Sequence, residues 1–167
     1  EVLTIEELLR TARLFTELGV RKIRVTGGEP LIRRGVHELF EGLGALSDLD
    51  TLALTTNGSH LADSAHALRD AGVKAINISL DSLQAGRFKT ITRIGDLDTV
   101  LRGIDRAVEC GFDRIRLNAV ILDGLNRDEV VPLTHYALEK GIHIAFIEEM
   151  PLGQVNVGGK PLAYVSS

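Results

Sequence analysis

Cysteine is almost missing from this chain: Cys110 stands alone in 167 residues. One thiol cannot build an internal disulfide framework, and that usage points to a reducing, cytoplasmic setting. No apolar run approaches the roughly 18–20 residues of a membrane span, and no secretory leader pattern opens the chain. Aromatics make up 4% and tryptophan is absent. No basic stripe is visible and the formal net charge is −4, so a nucleic-acid surface is not expected. An anionic ligand then has to be held by a few individually placed Arg or Lys side chains. Ser-His-Asp groupings and histidine clusters are missing too, which argues against triad hydrolysis. His37, His60, His66, His135 and His143 fall mostly on or just before expected helices and read as surface or packing residues.

What is present is a cadence. Four times an amphipathic segment ends in glycine and a short strand pattern follows, at Gly19, Gly72, Gly111 and Gly141. Each glycine suits the left-handed position that ends a helix. Another strand pattern, Thr51–Thr55, follows Asp50. Thr4 with Glu7 reads as a capping box opening a helix over about residues 5–18. Asp96 caps another through about Cys110, with Leu97, Val100, Leu101, Ile104 and Val108 at helical spacing. Further helices are expected over about residues 35–46, 61–71 and 128–140, the last tolerating Pro132 only in its first turns.

Strands alternating with single helices imply a parallel sheet with right-handed crossovers. The phosphate fingerprint of a doubly wound sheet, Gly-x-Gly-x-x-Gly after the first strand, is absent. The expected fold is α/β: a TIM-like barrel or an open arc of one, although a flat doubly wound sheet remains an alternative. A complete barrel needs roughly 200 residues or more, so residues 1–167 are expected to form one partial barrel domain. Both ends read as cut. Glu1-Val2-Leu3 enters a helix with no strand ahead of it, and the closing Ser166-Ser167 resembles a cap with no helix to follow.

In such a fold, chemistry gathers at the C-terminal ends of the strands. Those positions are polar throughout: Gly27, Gly28 and Glu29; Thr55, Thr56, Asn57 and Gly58; Asn77, Ser79 and Asp81; Arg116 and Asn118; Glu148, Glu149 and Met150. Two glycines at a strand's end leave main-chain groups bare for a ligand. Each residue also has a plainer reading, since Asn57-Gly58 is a common turn pair and Asp81-Ser82 can cap a helix. Their joint placement argues for a ligand site, with Arg24 joining it if its side chain points inward. The five tips are expected to converge on one pocket.

Lys22–Leu31, Thr55-Thr56-Asn57-Gly58, Asn77–Leu83, Asn118-Ala119-Val120 with Gly124-Leu125-Asn126, and Phe146–Gly153 together carry a family likeness. In order and spacing they resemble the GTP 3′,8-cyclase (MoaA) family of molybdenum-cofactor biosynthesis, radical S-adenosylmethionine (SAM) enzymes and lyases. Gly-Gly-Glu-Pro alone would indicate only the radical SAM superfamily. The resemblance implies that SAM, cleaved at a [4Fe–4S] cluster, gives a 5′-deoxyadenosyl radical. That radical takes hydrogen from C3′ of GTP, and the ribose carbon closes onto C8 of guanine. It implies SAM contacts at Gly27, Gly28, Glu29, Ser79 and Met150, and GTP contacts at Arg24, Thr55, Arg116 and Arg93. Arg116 departs from the Lys usual in that family.

The resemblance also implies two [4Fe–4S] clusters, whose Cys-x₃-Cys-x₂-Cys loop and C-terminal cysteines have no counterpart here. No residue of the chain is then a cluster ligand, and the chain alone is expected to be inactive. Cys110 reads as a packed thiol. A homodimeric parent and a pathway partner, the cyclic pyranopterin monophosphate synthase, are further implications. Two alternatives stand beside this reading: a peptide-modifying radical SAM maturase, and a non-catalytic barrel remnant that binds a nucleotide or a protein.

Overall fold

Five parallel strands lie in one sheet in the order in which the chain makes them. They are β1 (Lys22–Val25), β2 (Thr51–Thr56), β3 (Val73–Ser79), β4 (Arg114–Ile121) and β5 (His143–Glu148). The computed structural model describes residues 3–148, so Glu149, Met150 and the glycine-rich stretch beyond them lie outside the described residues. A doubly wound sheet must reverse its strand order partway along. Unbroken sequential order with right-handed crossovers instead puts every crossover helix on one face. The sheet is an open arc of the (β/α)-barrel type, and the flat alternative is set aside.

The helices are α1 (Ile5–Glu17), α2 (Val36–Gly44), α3 (Leu61–Asp70), α4 (Ala85–Thr92), α5 (Leu97–Cys110) and α6 (Val130–Glu139). The capping box forms at α1: the Glu7 N–H donates to Thr4 Oγ1 at 3.2 Å, and the Thr4 N–H donates to Glu7 Oε2 at 2.8 Å. Asp96 caps α5 by accepting from the Thr99 N–H at 3.0 Å. The four cadence glycines all take φ between 67° and 96°, the left-handed turn that releases each helix into its strand. Pro132 sits in the first turn of α6, where its missing N–H costs nothing. No described helix is long and apolar enough to cross a membrane.

α4 is the element the sequence pattern did not announce. It buries one side chain, Phe88, and its N-cap Gln84 makes no side-chain cap bond. Its start is held from outside instead, by the buried carboxylate of Glu129. That carboxylate accepts from the Ser82 hydroxyl at 2.7 Å, the Leu83 N–H at 2.7 Å and Arg87 at 3.1 Å. Ser82 therefore serves this loop brace and not a helix cap.

The two faces of the sheet differ in kind. Leu52, Leu54, Ile76, Ile78, Ile115 and Leu117 point at the helices and are almost wholly buried. Against them α5 lays Leu97, Val100, Ile104 and Ala107, each large side chain contributing about 1.5–3 kcal/mol by leaving water. Gly103 lets α5 approach the β2–α3 turn, since a Cβ there would stand 2.8 Å from the Gly58 carbonyl oxygen. The opposite, concave face carries Lys22, Arg24, Thr55, Asn77, Arg116 and their neighbours. A register shift between Leu52 and Ala53 leaves Lys74 as the extra residue of β3. This bulge lets Val73 stay in the core while Ala75 and Asn77 turn to the concave side.

Candidate active site

At the tip of β1, Gly27 takes φ 156°, and a Cβ built on either Gly27 or Gly28 meets nothing within 4 Å. The ledge is bare backbone, which fits a ligand that binds through main-chain groups. Glu29 beside it is turned toward β2. One carboxylate oxygen accepts from the Leu31 N–H at 3.0 Å and the Thr56 hydroxyl at 2.8 Å, the other from the Asn57 N–H at 2.6 Å. Its side chain is thus a clamp between two strand tips.

The Thr55-Thr56-Asn57-Gly58 stretch divides along the same line. Thr56 donates to Glu29 and accepts from the Gly58 N–H at 3.0 Å. Asn57 Oδ1 accepts from the Ser59 N–H at 2.9 Å and hydroxyl at 2.7 Å, a local turn. Only Thr55 faces the concave side, where its hydroxyl accepts from Arg24 at 3.2 Å. The plainer turn reading holds for Asn57 and Gly58.

Cross-strand register joins the remaining residues. Thr55 pairs with Asn77, Asn77 with Arg116, and Arg116 with His143. Arg24, Thr55 and Arg116 therefore share one face, and Arg24 does point inward. Ser79 ends β3, opposite Asn118. His143 opens β5, in the strand pattern that follows Gly141, and stands in Arg116's row. Arg93 closes α4 with φ 69° and ψ −42°, a backbone that residues other than glycine rarely adopt. It stands beside Thr92 and Ile94, which line a cavity at the sheet's rim.

That rim cavity holds about 420 Å³ and is bounded by Asn57, Ser79, Asp81, Phe88 and Asp96 among others. Burial pushes the Asp81 carboxyl above the usual carboxylate range, and the Val120 N–H it accepts at 2.8 Å opposes that rise. A second cavity of about 280 Å³ lies lower on the concave face. Lys22, Arg24, Lys74, Arg114 and Arg116 line it, with Asp113 the only acid among its lining residues. Asn77 lines the lower cavity and Ser79 the upper; two residues on one strand separate them by roughly 6–7 Å. The expected single pocket is thus two levels. Main-chain and hydroxyl groups sit at the tips, and cations sit beneath.

Lys22, Lys74 and Arg114 were not among the residues that sequence reasoning selected. Alternation carried the signal for two of them: Lys22-Ile23-Arg24 and Arg114-Ile115-Arg116 each repeat a cation on one face. Met150 falls outside the described residues. Cys110 ends α5, at the far end of the sheet from the Gly27-Gly28 ledge, with its Sγ 3.5 Å from His66 Nδ1. Burial raises its thiol pKa, and its position does not fit a ligand for a cluster at the strand tips. Among the described residues, no three His, Cys, Asp or Glu side chains gather closely enough to hold a metal ion.

Comparison with known proteins bears on the family and the fold. A protein named GTP 3′,8-cyclase from Saccharophagus degradans is 52% identical over 167 residues, all of this chain and 50% of that protein. GTP 3′,8-cyclase 1 of Pseudomonas aeruginosa is 56% identical over 155 residues, 93% of this chain and 47% of that protein. The chain spans about half the length of the curated relatives it matches. Among solved structures, Streptococcus suis SuiB superposes with a TM-score of 0.73 at 18% identity, covering 99% of this chain and 37% of that one. Native anSMEcpe with bound AdoMet gives 0.70 at 19% identity, covering 93% and 46%. These two share the fold. Residues 1–137 match the family profile described as the Radical SAM superfamily, and the chain belongs to that superfamily.

Proposed function

We propose that this chain forms the SAM- and GTP-facing walls of a GTP 3′,8-cyclase that acts in molybdenum-cofactor biosynthesis. The observation that carries the reading is the two-level site: a bare Gly27-Gly28 ledge above a cavity lined by Lys22, Arg24, Lys74, Arg114 and Arg116. A cationic floor in a chain of net charge −4 suits a polyanion such as a nucleoside triphosphate and offers nothing specific to a neutral or basic peptide. The maturase alternative therefore draws support only from a shared fold. Roughly half-identity to proteins named as cyclases points the same way.

In this reading, Arg24 and Arg116 hold phosphate oxygens through bidentate forks, and Thr55 orients Arg24. Gly27 and Gly28 present main-chain groups to SAM, and Ser79 and Met150 contact it further. Glu29 acts by holding the ledge in place, and Arg93 stands near the substrate. Bound SAM supplies the hydrogen-abstracting radical. The described residues contribute no thiolate to the iron–sulfur clusters this chemistry uses, so those ligands belong to other parts of the full-length protein. The reading extends to a homodimeric cytoplasmic enzyme whose product passes to the cyclic pyranopterin monophosphate synthase.

The test is turnover by the full-length, cluster-reconstituted protein with SAM and a reductant. Formation of 5′-deoxyadenosine that depends on GTP supports the proposal. SAM cleavage indifferent to GTP contradicts it.

A further inference from the structure

Arg114 lies on the concave face for the same reason as Arg116: both alternate with the buried Ile115 and Leu117. It pairs with Ala75, Ala75 pairs with Ala53, and Ala53 pairs with Arg24. The row reads Arg24–Ala53–Ala75–Arg114. With neighbouring strands about 4.8 Å apart, the two arginine Cα atoms stand roughly 14 Å from each other. Of the two alanines between them, Ala53 is fully buried and Ala75 lines the lower cavity together with both arginines. The bulge at Lys74 is what brings Ala75 into this row, so the alignment of the two arginines is a consequence of strand register.

The charge at the Arg114 end is uncompensated. Among the described residues Arg114 has no ion-pair partner. Its sequence neighbour Asp113 instead meets Arg69 at 3.4 Å. Arg24, by contrast, already donates to Thr55. The lower cavity thus has a hydrogen-bonded arginine on one side and, among the described residues, an arginine without an ion-pair partner on the other. An elongated anion lying in the lower cavity, which both arginines line, meets both.

We propose that Arg114 is a substrate-binding residue that grips the phosphate farthest from the nucleoside, and so sets a preference for a triphosphate over the shorter nucleotides. This rests on the GTP reading of the site. Its fork matches a terminal phosphate bidentately, which a lysine at the same place does not.

The experiment is calorimetric titration of GTP, GDP and GMP into the full-length protein, its Arg114→Gln and Arg114→Lys variants, and an Arg24→Ala control. The thermal midpoint serves as a check on folding. Arg114→Gln is expected to weaken GTP at least tenfold, GDP less and GMP not at all, narrowing the GTP-to-GDP ratio. Arg114→Lys recovers part of the loss. Equal weakening of all three nucleotides, or of none, overturns the assignment. If the unmodified protein binds no GTP, or Arg24→Ala leaves GTP binding intact, the substrate reading fails and this inference falls with it. If Arg24→Ala weakens GTP but Arg114→Gln does not, only the role of Arg114 is lost.

Discussion

Asn126 and Asp81 lie 45 residues apart in the chain, and the Asn126 side-chain amide donates to the Asp81 carbonyl oxygen at 2.7 Å. The same amide donates to the Val120 carbonyl at 2.8 Å and accepts from the Leu122 N–H at 2.8 Å. Asp81 in turn accepts from the Val120 N–H. Two loops at the rim, after β3 and after β4, are thereby stitched into one platform. Asn126 is fully buried, so removing its amide leaves main-chain groups without partners and without water.

Asn126→Ala is expected to destabilise the protein by about 2–3 kcal/mol, the cost of stranding buried polar groups. Urea unfolding of the full-length protein measures this. A loss below about 0.5 kcal/mol means that the platform is held by other contacts.

Glu29 gives a second stability prediction where sequence reasoning expected ligand binding. A glutamine keeps one carbonyl oxygen but turns an NH₂ toward a donor, so the three bonds from Leu31, Thr56 and Asn57 cannot all survive. Glu29→Gln is expected to cost about 1.5–3 kcal/mol, as for hydrogen bonds to a charged group. An unchanged unfolding midpoint together with lost SAM binding would move the carboxylate back into the ligand site.

Gly28→Val should behave in the opposite way. A Cβ at Gly28 meets nothing in the protein, so stability changes by less than about 0.5 kcal/mol. SAM binding is expected to fail because the branched side chain occupies the ledge. Equilibrium dialysis with SAM decides it, and retained binding removes Gly28 from the contact surface.

Tyr136 on α6 carries a buried hydroxyl with no hydrogen-bond partner among the described residues. Burial, with a lesser effect of nearby Asp105, pushes its pKa up to about 12. The folded state therefore holds this proton more tightly than the unfolded chain, whose value is near 10. The associated stability is present below pH 10 and is lost as pH rises from 10 through 12. Tyr136→Phe removes that alkaline loss and the unsatisfied hydroxyl, with an expected gain of up to about 1 kcal/mol near neutral pH. Denaturant midpoints across that pH range measure both effects.

Much of this architecture is legible along the chain because its signals are local. Thr4 with Glu7, Asp96, and the glycines at 19, 72, 111 and 141 each act within one helical turn. α4 was hidden because what holds it, the Glu129 carboxylate, lies some forty residues downstream and belongs to another loop. The site was partly legible for a similar reason. Strand alternation placed Arg24, Thr55 and Arg116 on one face, but the bulge at Lys74 changes parity inside β3, and no local pattern marks it. The bracing by Glu29 was not legible, because the residues it holds, Thr56 and Asn57, stand on another strand tip nearly thirty residues away. Asn57, Gly58, Asp81 and Asn126 belong to motifs shared with a catalytic family, yet here their polar groups chiefly hold loops to one another.

Arg24 bears most directly on the central claim that the concave face binds the phosphates of GTP. Calorimetric titration of GTP and SAM into the full-length, reconstituted protein and its Arg24→Ala variant measures it. The expected result is a loss of about 1.5–3 kcal/mol in GTP binding, the range of a charged hydrogen bond, with SAM affinity unchanged. GTP affinity equal in the two proteins would contradict the claim.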